Sequence, residues 1–382
     1  MHKNLAAIFS LNMHTYVLNY GSVLQSYALQ KYLKLQGKDS VIVNYVPFHA
    51  ESYYKPINRL SLGRNFLHFR SFLWSYFSCL FFLIKYRKFE RFFKNFYKTT
   101  DHLHFHDELL GSDNIENLDI DTFICGSDTV WKFGQMLGFN KVLYLDIPAA
   151  RGKRKVSYAP CMGADQFDDN QIEEFKRLTS DFTAISLREQ SCVDYVNTFL
   201  DRPAVRVVDP TLLLDENDYL KIARLPKEKN YVLIYSCEEC DLEMVKEARR
   251  LAARKRLDVI ELTTLRHCGH HLGHKVIYTA GVEDFLGYFK NASYIVCNSF
   301  HGACFSIIFK KNVFLFERNK TDFKMPDLVK MLGMEKQIVS CESKRIENID
   351  ALVNYDSVYK KLSDAKKVSC EYIMTNIVKK GC

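Results

Sequence analysis

"LAAIFSLNMHTYVLNYGSVLQSYALQKYLKLQGKDSVIVNYV", residues 5–46, decides the fold class. "LAAIFS" (5–10) is a short run of buried character and strand length. "GSVLQSYALQKYLKLQG" (21–37) changes period: Leu24, Tyr27, Ala28, Tyr32 and Leu35 recur at spacings of three and four, one apolar face of a helix. Gly37 is a natural helix terminator, and "SVIVNYV" (40–46) is the next strand. Strand, helix and strand within some forty residues form a βαβ unit, which requires a parallel sheet.

The alternation pauses and then resumes. Residues 50–120 are aromatic, basic and helical in pattern, and we read them as an insertion. Strands are predicted at 122–126, 155–160, 183–187 and 204–209, with helices at 169–180 and 189–200 between them. Residues 215–230 have the turn and charge content of a linker. A second alternation follows, with strands at 231–236, 258–262, 294–297 and 313–316, and helices at 241–254, 282–290 and 301–310. One or two helices close the chain. The reading is α/β: two Rossmann-like doubly wound domains, 1–222 and 223–382, with a cleft between them.

The bulk numbers agree with a globular enzyme-sized chain. Its 382 residues are 47% hydrophobic and 26% charged, with 28 Phe and 22 Tyr. A net charge of +8 favours anionic partners, without choosing among phosphates, acidic glycans, nucleic acid or lipid. The twelve cysteines lack regular spacing, and Cys79, Cys125, Cys297 and Cys304 sit inside apolar runs, as reduced, buried thiols do. The start carries too short an apolar core for a signal peptide, so a cytoplasmic location is expected. "FLWSYFSCLFFLI" (72–84) is shorter than the roughly 20 residues of a spanning helix. With its basic, aromatic flank, segment 64–98 is suited either to the core or to peripheral contact with the inner face of an anionic membrane.

Ligands of open parallel sheets bind beyond the carboxyl ends of the strands. Five polar breaks fall at such ends. Asn298-Ser299-Phe300-His301-Gly302 separates a strand from a helix and offers a titratable imidazole, a capping hydroxyl and a close backbone approach. "LNYG" (18–21) leads into the first helix; "CGSDTVW" (125–131) brings Ser127, Asp128 and a rare Trp131. "SLRE" (186–189) places Arg188, a fork for carboxylate or phosphate, and "VDPTLL" (208–213) supplies Asp209. Cys237-Glu238-Glu239-Cys240 with His267, Cys268, His270, His271 and His274 is too irregular for a zinc site to be expected. No GxGxxG, Walker A or GxSxG motif is present, and no nucleic-acid-binding module accompanies the basic segment.

Taken in order, "NYGSVLQSYALQKYL", "FICGSDTVW", "KVSYAPCMGA", "ISLREQSCVDYV", "VVDPTLLLDENDY" and "NSFHGACFSIIFKK" resemble the polysaccharide pyruvyl transferase family over roughly 12–320. The chain departs from it in 50–120, in the His-rich loop 266–274 and in the terminal helices. The resemblance implies a GT-B-like arrangement of the two domains and a transferase of polysaccharide biosynthesis. Such an enzyme moves the pyruvyl group of phosphoenolpyruvate onto a sugar, forms a ketal and releases phosphate, with no further cofactor and no metal. It implies His301 as acid/base or phosphate contact and Arg188 as anchor of the donor's anionic groups. It further implies Ser299, Phe300 and Gly302 at the phosphate end, and Asn19, Tyr20, Gly21, Ser127, Asp128 and Trp131 on the opposite, sugar-facing wall. The acceptor would be a glycan, lipid-linked if 64–98 lies on a membrane. The alternatives are a glycosyltransferase using a nucleotide sugar and a non-catalytic glycan-binding protein.

Overall fold

The computed structural model of the chain describes residues 5–14, 18–47, 69–163, 166–236, 241–263, 273–318 and 323–378. In the N-terminal half the elements are β1 Leu5–Phe9, α1 Tyr20–Leu35, β2 Asp39–Ile42, β3 Tyr45–Val46, α2 Phe69–Phe96, β4 His104–Phe105, α3 His106–Gly111, β5 Ile120–Cys125, β6 Arg154–Ser157, α4 Asp169–Thr179, β7 Ser186–Leu187, α5 Gln190–Val196, β8 Val205–Arg206 and α6 Glu216–Leu220. The C-terminal half continues with β9 Tyr231–Ser236, α7 Leu242–Lys255, β10 Asp258–Thr263, β11 Lys275–Ile277, α8 Val282–Asn291, β12 Tyr294–Cys297, α9 Phe300–Ile308, β13 Asn312–Phe316, α10 Lys324–Leu332, β14 Ile338–Val339 and α11 Tyr355–Ile373.

All strand pairs are parallel. The first sheet runs β2-β1-β5-β6, with Ile8 set between Ile42 and Ile124. A bridge from Val156 to Ala184 carries the ladder on to the β7–β8 pair. The second sheet runs β11-β10-β9-β12-β13-β14, so its order reverses between β9 and β12. In the first, the reversal falls between β1 and β5. Every residue of β9 is buried, as a strand covered on both faces must be. These are two Rossmann-like units in a GT-B-like arrangement, and open parallel sheets of this kind bind ligands at the point where the strand order reverses.

Two helices strap the units together. α2 lies in the segment read as an insertion with a membrane-facing option, but from residue 85 on its aromatic face is turned inward. Phe89 meets Tyr20 of α1 at 5.2 Å between ring centroids, and Phe92 meets Tyr27 at 5.8 Å. On the other unit, Lys88 Nζ pairs with Asp284 at 2.6 Å and Lys85 Nζ donates to the Thr263 carbonyl at 3.2 Å. Residues 50–68 of the insertion lie outside the described residues. Among the described residues no helix is long and apolar enough to cross a membrane.

The second strap is α11. Its first turns belong to the C-terminal unit, where Tyr359 Oη donates to the Ile307 carbonyl at 3.0 Å. Its last turns complete the N-terminal unit: Ser369 Oγ accepts from Val208 N–H at 2.9 Å, and Tyr372 Oη donates to the Ser157 carbonyl at 2.9 Å.

The linker between the units is nailed to α8. Arg224 N–H donates to Glu283 at 2.8 Å, and Asn291 Nδ2 donates to the carbonyls of Pro226 and Glu228. Gly287 is the point of contact, where a Cβ would overlap the Arg224 carbonyl. Gly287→Ala is therefore expected to destabilise the fold by about 1–3 kcal/mol, the usual cost of overpacking, read as a lower urea midpoint with an unchanged slope.

Candidate active site

The reversal points of the two sheets face each other, and their polar breaks meet. After β12, Ser299 caps α9, its Oγ accepting from Gly302 N–H at 3.3 Å, and His301 stands in the helix's first turn. After β1, Asn19 caps α1, its Oδ1 accepting from Gly21 N–H at 2.9 Å. The two first turns touch: a Cβ on Gly21 would collide with the His301 imidazole, so glycine lets the ring lie against the start of α1. Two helix N-termini, one from each unit, thus converge on one histidine, and such ends favour anions.

Asp209 is the centre of the buried charge. It is 1% exposed, and it caps the short turn Pro210–Leu212. Its Oδ1 accepts from Thr211 N–H at 2.9 Å and Thr211 Oγ1 at 2.7 Å. Its Oδ2 accepts from Arg188 Nη1 at 3.0 Å and Ser127 Oγ at 3.2 Å, with His301 Nε2 at 3.6 Å. That last contact is too long for a hydrogen bond, and His301 Nε2 makes none. Burial alone would raise the Asp209 carboxyl, but the imidazole, the guanidinium and the Thr211 amide hold it well below the usual carboxylate range.

Arg188 is buried as well. Its Nε donates to Glu189 Oε1 at 2.8 Å, and its guanidinium lies 4.0 Å from the centre of the Phe300 ring, contributed by the other unit. Burial acts against its charge, but the carboxylates of Glu189 and Asp209 keep it firmly protonated. Arg206, Lys324 and Asp327 extend this charged pocket, with Arg206 Nη2 paired to Asp327.

The remaining candidates separate. Ser127 supports Asp209 and also donates to the Ala159 carbonyl at 2.8 Å. Asp128 accepts from Ser22 Oγ of α1 at 2.5 Å, tying the end of β5 to the first turn of α1. Tyr20 does not line a wall: it is fully buried between the units, stacked on Phe285 at 4.7 Å, its hydroxyl donating to the Ala280 carbonyl at 3.0 Å. Trp131 is likewise core rather than sugar platform. It is 1% exposed, stacks on Tyr144 at 4.9 Å and donates to the Leu143 carbonyl at 3.3 Å. A rare tryptophan near a strand end is drawn into the core by the large apolar area it can bury. Sequence reasoning passed over Glu189 and Thr211, whose signal was adjacency to Arg188 and Asp209. Cys237–Cys240 and 264–272 lie outside the described residues; His274 is described, its Nε2 2.7 Å from Glu261 Oε2.

The family model described as "Polysaccharide pyruvyl transferase" matches residues 19–320. No curated protein matches the chain. Among solved structures it is similar to the Methanocaldococcus jannaschii UDP-GlcNAc 2-epimerase in complex with UDP-GlcNAc and UDP. The identity is 14%, covering 97% of this chain and 99% of that one, with a TM-score of 0.50. It is also similar to a putative UDP-N-acetylglucosamine 2-epimerase from Listeria monocytogenes, at 11% identity, 97% and 90% coverage and TM-score 0.49. Arabidopsis thaliana UGT89C1 complexed with quercetin follows at 10% identity, 98% and 93% coverage and TM-score 0.45. At these identities the likeness is one of fold alone.

Removing the central carboxylate tests the electrostatics. Asp209→Asn leaves Arg188 and His301 without their shared partner, and an expected loss of about 3–5 kcal/mol in unfolding free energy at neutral pH follows. The folded Asp209 titrates below its unfolded value of about 3.9, so its contribution is fully present above that pH and is lost as pH falls through and below it. The gap between wild type and variant in urea unfolding should accordingly narrow as the buffer is taken from about pH 5 to about pH 2.

Proposed function

The chain belongs to the polysaccharide pyruvyl transferase family, and from that premise we propose that it transfers the pyruvyl group of phosphoenolpyruvate to a sugar of a surface-polysaccharide precursor. The product is a pyruvate ketal, and inorganic phosphate leaves. The observation that carries this reading is the convergence of two helix N-termini, Arg188 and His301 at one buried point between the sheets. A donor with a carboxylate and a phosphate needs such a set of N–H groups and cations. Arg188, Ser299 and the Gly302 amide are the proposed anchors of its anionic groups. No further cofactor is invoked.

In the proposed reaction His301 gives a proton to C3 of phosphoenolpyruvate, which becomes a methyl group and leaves C2 oxocarbenium-like. A sugar hydroxyl adds to C2 and loses its proton to a base. The C2–O bond to phosphate then breaks, phosphate departs, and a second hydroxyl closes the ketal with loss of its own proton. Asp209, 3.6 Å from His301 Nε2, would balance the charge of the ring. Leu80, Leu83 and Ile84 on α2 are exposed apolar residues suited to a lipid-linked acceptor at a membrane surface.

Acceptor-dependent phosphate release from phosphoenolpyruvate, assayed over galactosides, mannosides and lipid-linked sugars, tests the reading. His301→Ala should lower the rate by ~10²-fold or more, the scale of a lost acid/base group. Arg188→Lys should fail similarly, because it loses the planar fork. Near-normal turnover in His301→Ala would remove that residue from the chemistry, and transfer from a nucleotide sugar instead would replace the donor. Flotation with anionic liposomes tests the membrane contact; no association at low salt counts against it.

A further inference from the structure

Apart from the charged centre, the N-terminal unit carries a second cluster of ligand-type side chains. His102 lies in a bend two residues before His104, the first residue of β4. Glu108 stands in α3, which follows β4 directly. His102 Nε2 is 2.8 Å from Glu108 Oε1, and His104 Nδ1 is 3.6 Å from the same oxygen. The two imidazoles meet edge to face, with 4.9 Å between centroids. One ligand atom from each of the three residues lies within 4.8 Å of the other two.

His104 sets this apart from a chance surface grouping. It is 5% exposed, and neither ring nitrogen makes a hydrogen bond. A buried imidazole without a hydrogen bond is costly, and such groups call for an explanation. The nitrogen away from Glu108 faces a second carboxylate, with Nε2 3.9 Å from Glu116 Oε1. Glu116 is itself fixed, accepting from the His102 backbone N–H. The order carboxylate, imidazole, ligand-binding point is how metal-bound histidines are held: one nitrogen on the ion, the other N–H directed to an outer carboxylate.

We propose that His102 Nε2, His104 Nδ1 and Glu108 form a site for a divalent first-row transition ion, zinc foremost, with Glu116 as the outer carboxylate of His104. Two imidazoles and one carboxylate suit zinc and its neighbours better than magnesium or calcium, which take oxygen ligands. Three protein ligands leave the fourth tetrahedral position to water. His102 and Glu108 lie at the surface, so an ion reaches the site without opening the core. Bound there, it would clamp the stretch that follows α2 onto β3, with which β4 pairs in parallel and next to which His104 N–H donates to the Asn44 carbonyl at 2.8 Å. The site is independent of pyruvyl transfer.

Full-length protein stripped with chelator and titrated calorimetrically with zinc chloride tests the assignment. Cys237, Cys240 and the downstream histidines also offer ligands, so Cys237→Ser/Cys240→Ser protein is titrated in parallel. The wild type and the cysteine variant should each bind zinc, with a raised thermal midpoint. His102→Ala removes an exposed ligand and leaves the core intact. It should weaken this binding by at least ~10-fold, the lower end of what outer-shell changes alone produce. Glu108→Gln should do the same. Cobalt(II) on the cysteine variant should give the d–d bands of a tetrahedral or five-coordinate nitrogen and oxygen site. Equal zinc affinity in wild type, His102→Ala and Glu108→Gln, or loss of binding only in the cysteine variant, would overturn it.

Discussion

The carboxylate of Asp209 is the constraint to which the two units are fitted. A charge that is almost fully buried survives only if it is paired and hydrogen-bonded. Asp209 meets that condition with groups from three places: Thr211 of its own turn, Ser127 and Arg188 after β5 and β7 of the first unit, and His301 from the second unit. Each partner must arrive in register. Phe300 then covers the Arg188 guanidinium from the side of the second unit, so the seam that unites the halves also takes the pair out of water. Replacing the partners with apolar groups would remove the desolvation cost, and it would also remove every group that can recognise an anion.

Strapping follows from that requirement. A charged seam held only by itself would open easily, because each charge is well solvated when apart. The helices α2 and α11 supply the apolar area that the seam lacks. Phe89 and Phe92 fill the space between α1 and the second unit, and α11 runs from one unit to the other. Tyr20, next to the glycine that admits His301, is stacked on Phe285 of α8. The position of the Gly21 backbone is thereby tied to the packing of both units, and a change in that packing would move the imidazole.

The strand and helix periods of the sequence carry most of this architecture. Strands 231–236 and 294–297 lie at the residues their apolar runs predict, because strands covered on both faces need unbroken apolar sequence. β11 and β14 were not legible: at three and two residues they are edge strands, set by neighbours rather than by their own pattern. α6 was hidden in what reads as a charged linker, where its capping aspartate, Asp215, is an ordinary turn residue as well. In the site, residue types at strand ends were legible, and the sequence order brought Arg188, Asp209 and His301 forward as candidates. Their mutual contact was not, since residues from opposite units have no sequence spacing to read. Trp131 and Tyr20 show the converse. Aromatic rings beside polar motifs satisfy both a binding wall and a core, and only the packing decides. His102, His104 and Glu108 did have a readable spacing, but it lay inside a segment read for its aromatic and basic character.

The charge balance of the pocket gives the proposed chemistry an internal logic. Arg188, Arg206 and Lys324 are balanced there by Glu189, Asp209 and Asp327. Three cations against three carboxylates leave no formal surplus, so an anionic donor cannot be held by unpaired side-chain charge alone. The two helix N-termini supply partial positive charge, roughly half a unit each at most. His301 lies between them. Under the proposed reaction the donor's negative charge would therefore rest on the N–H groups at these helix ends, with His301 beside it as the proton source.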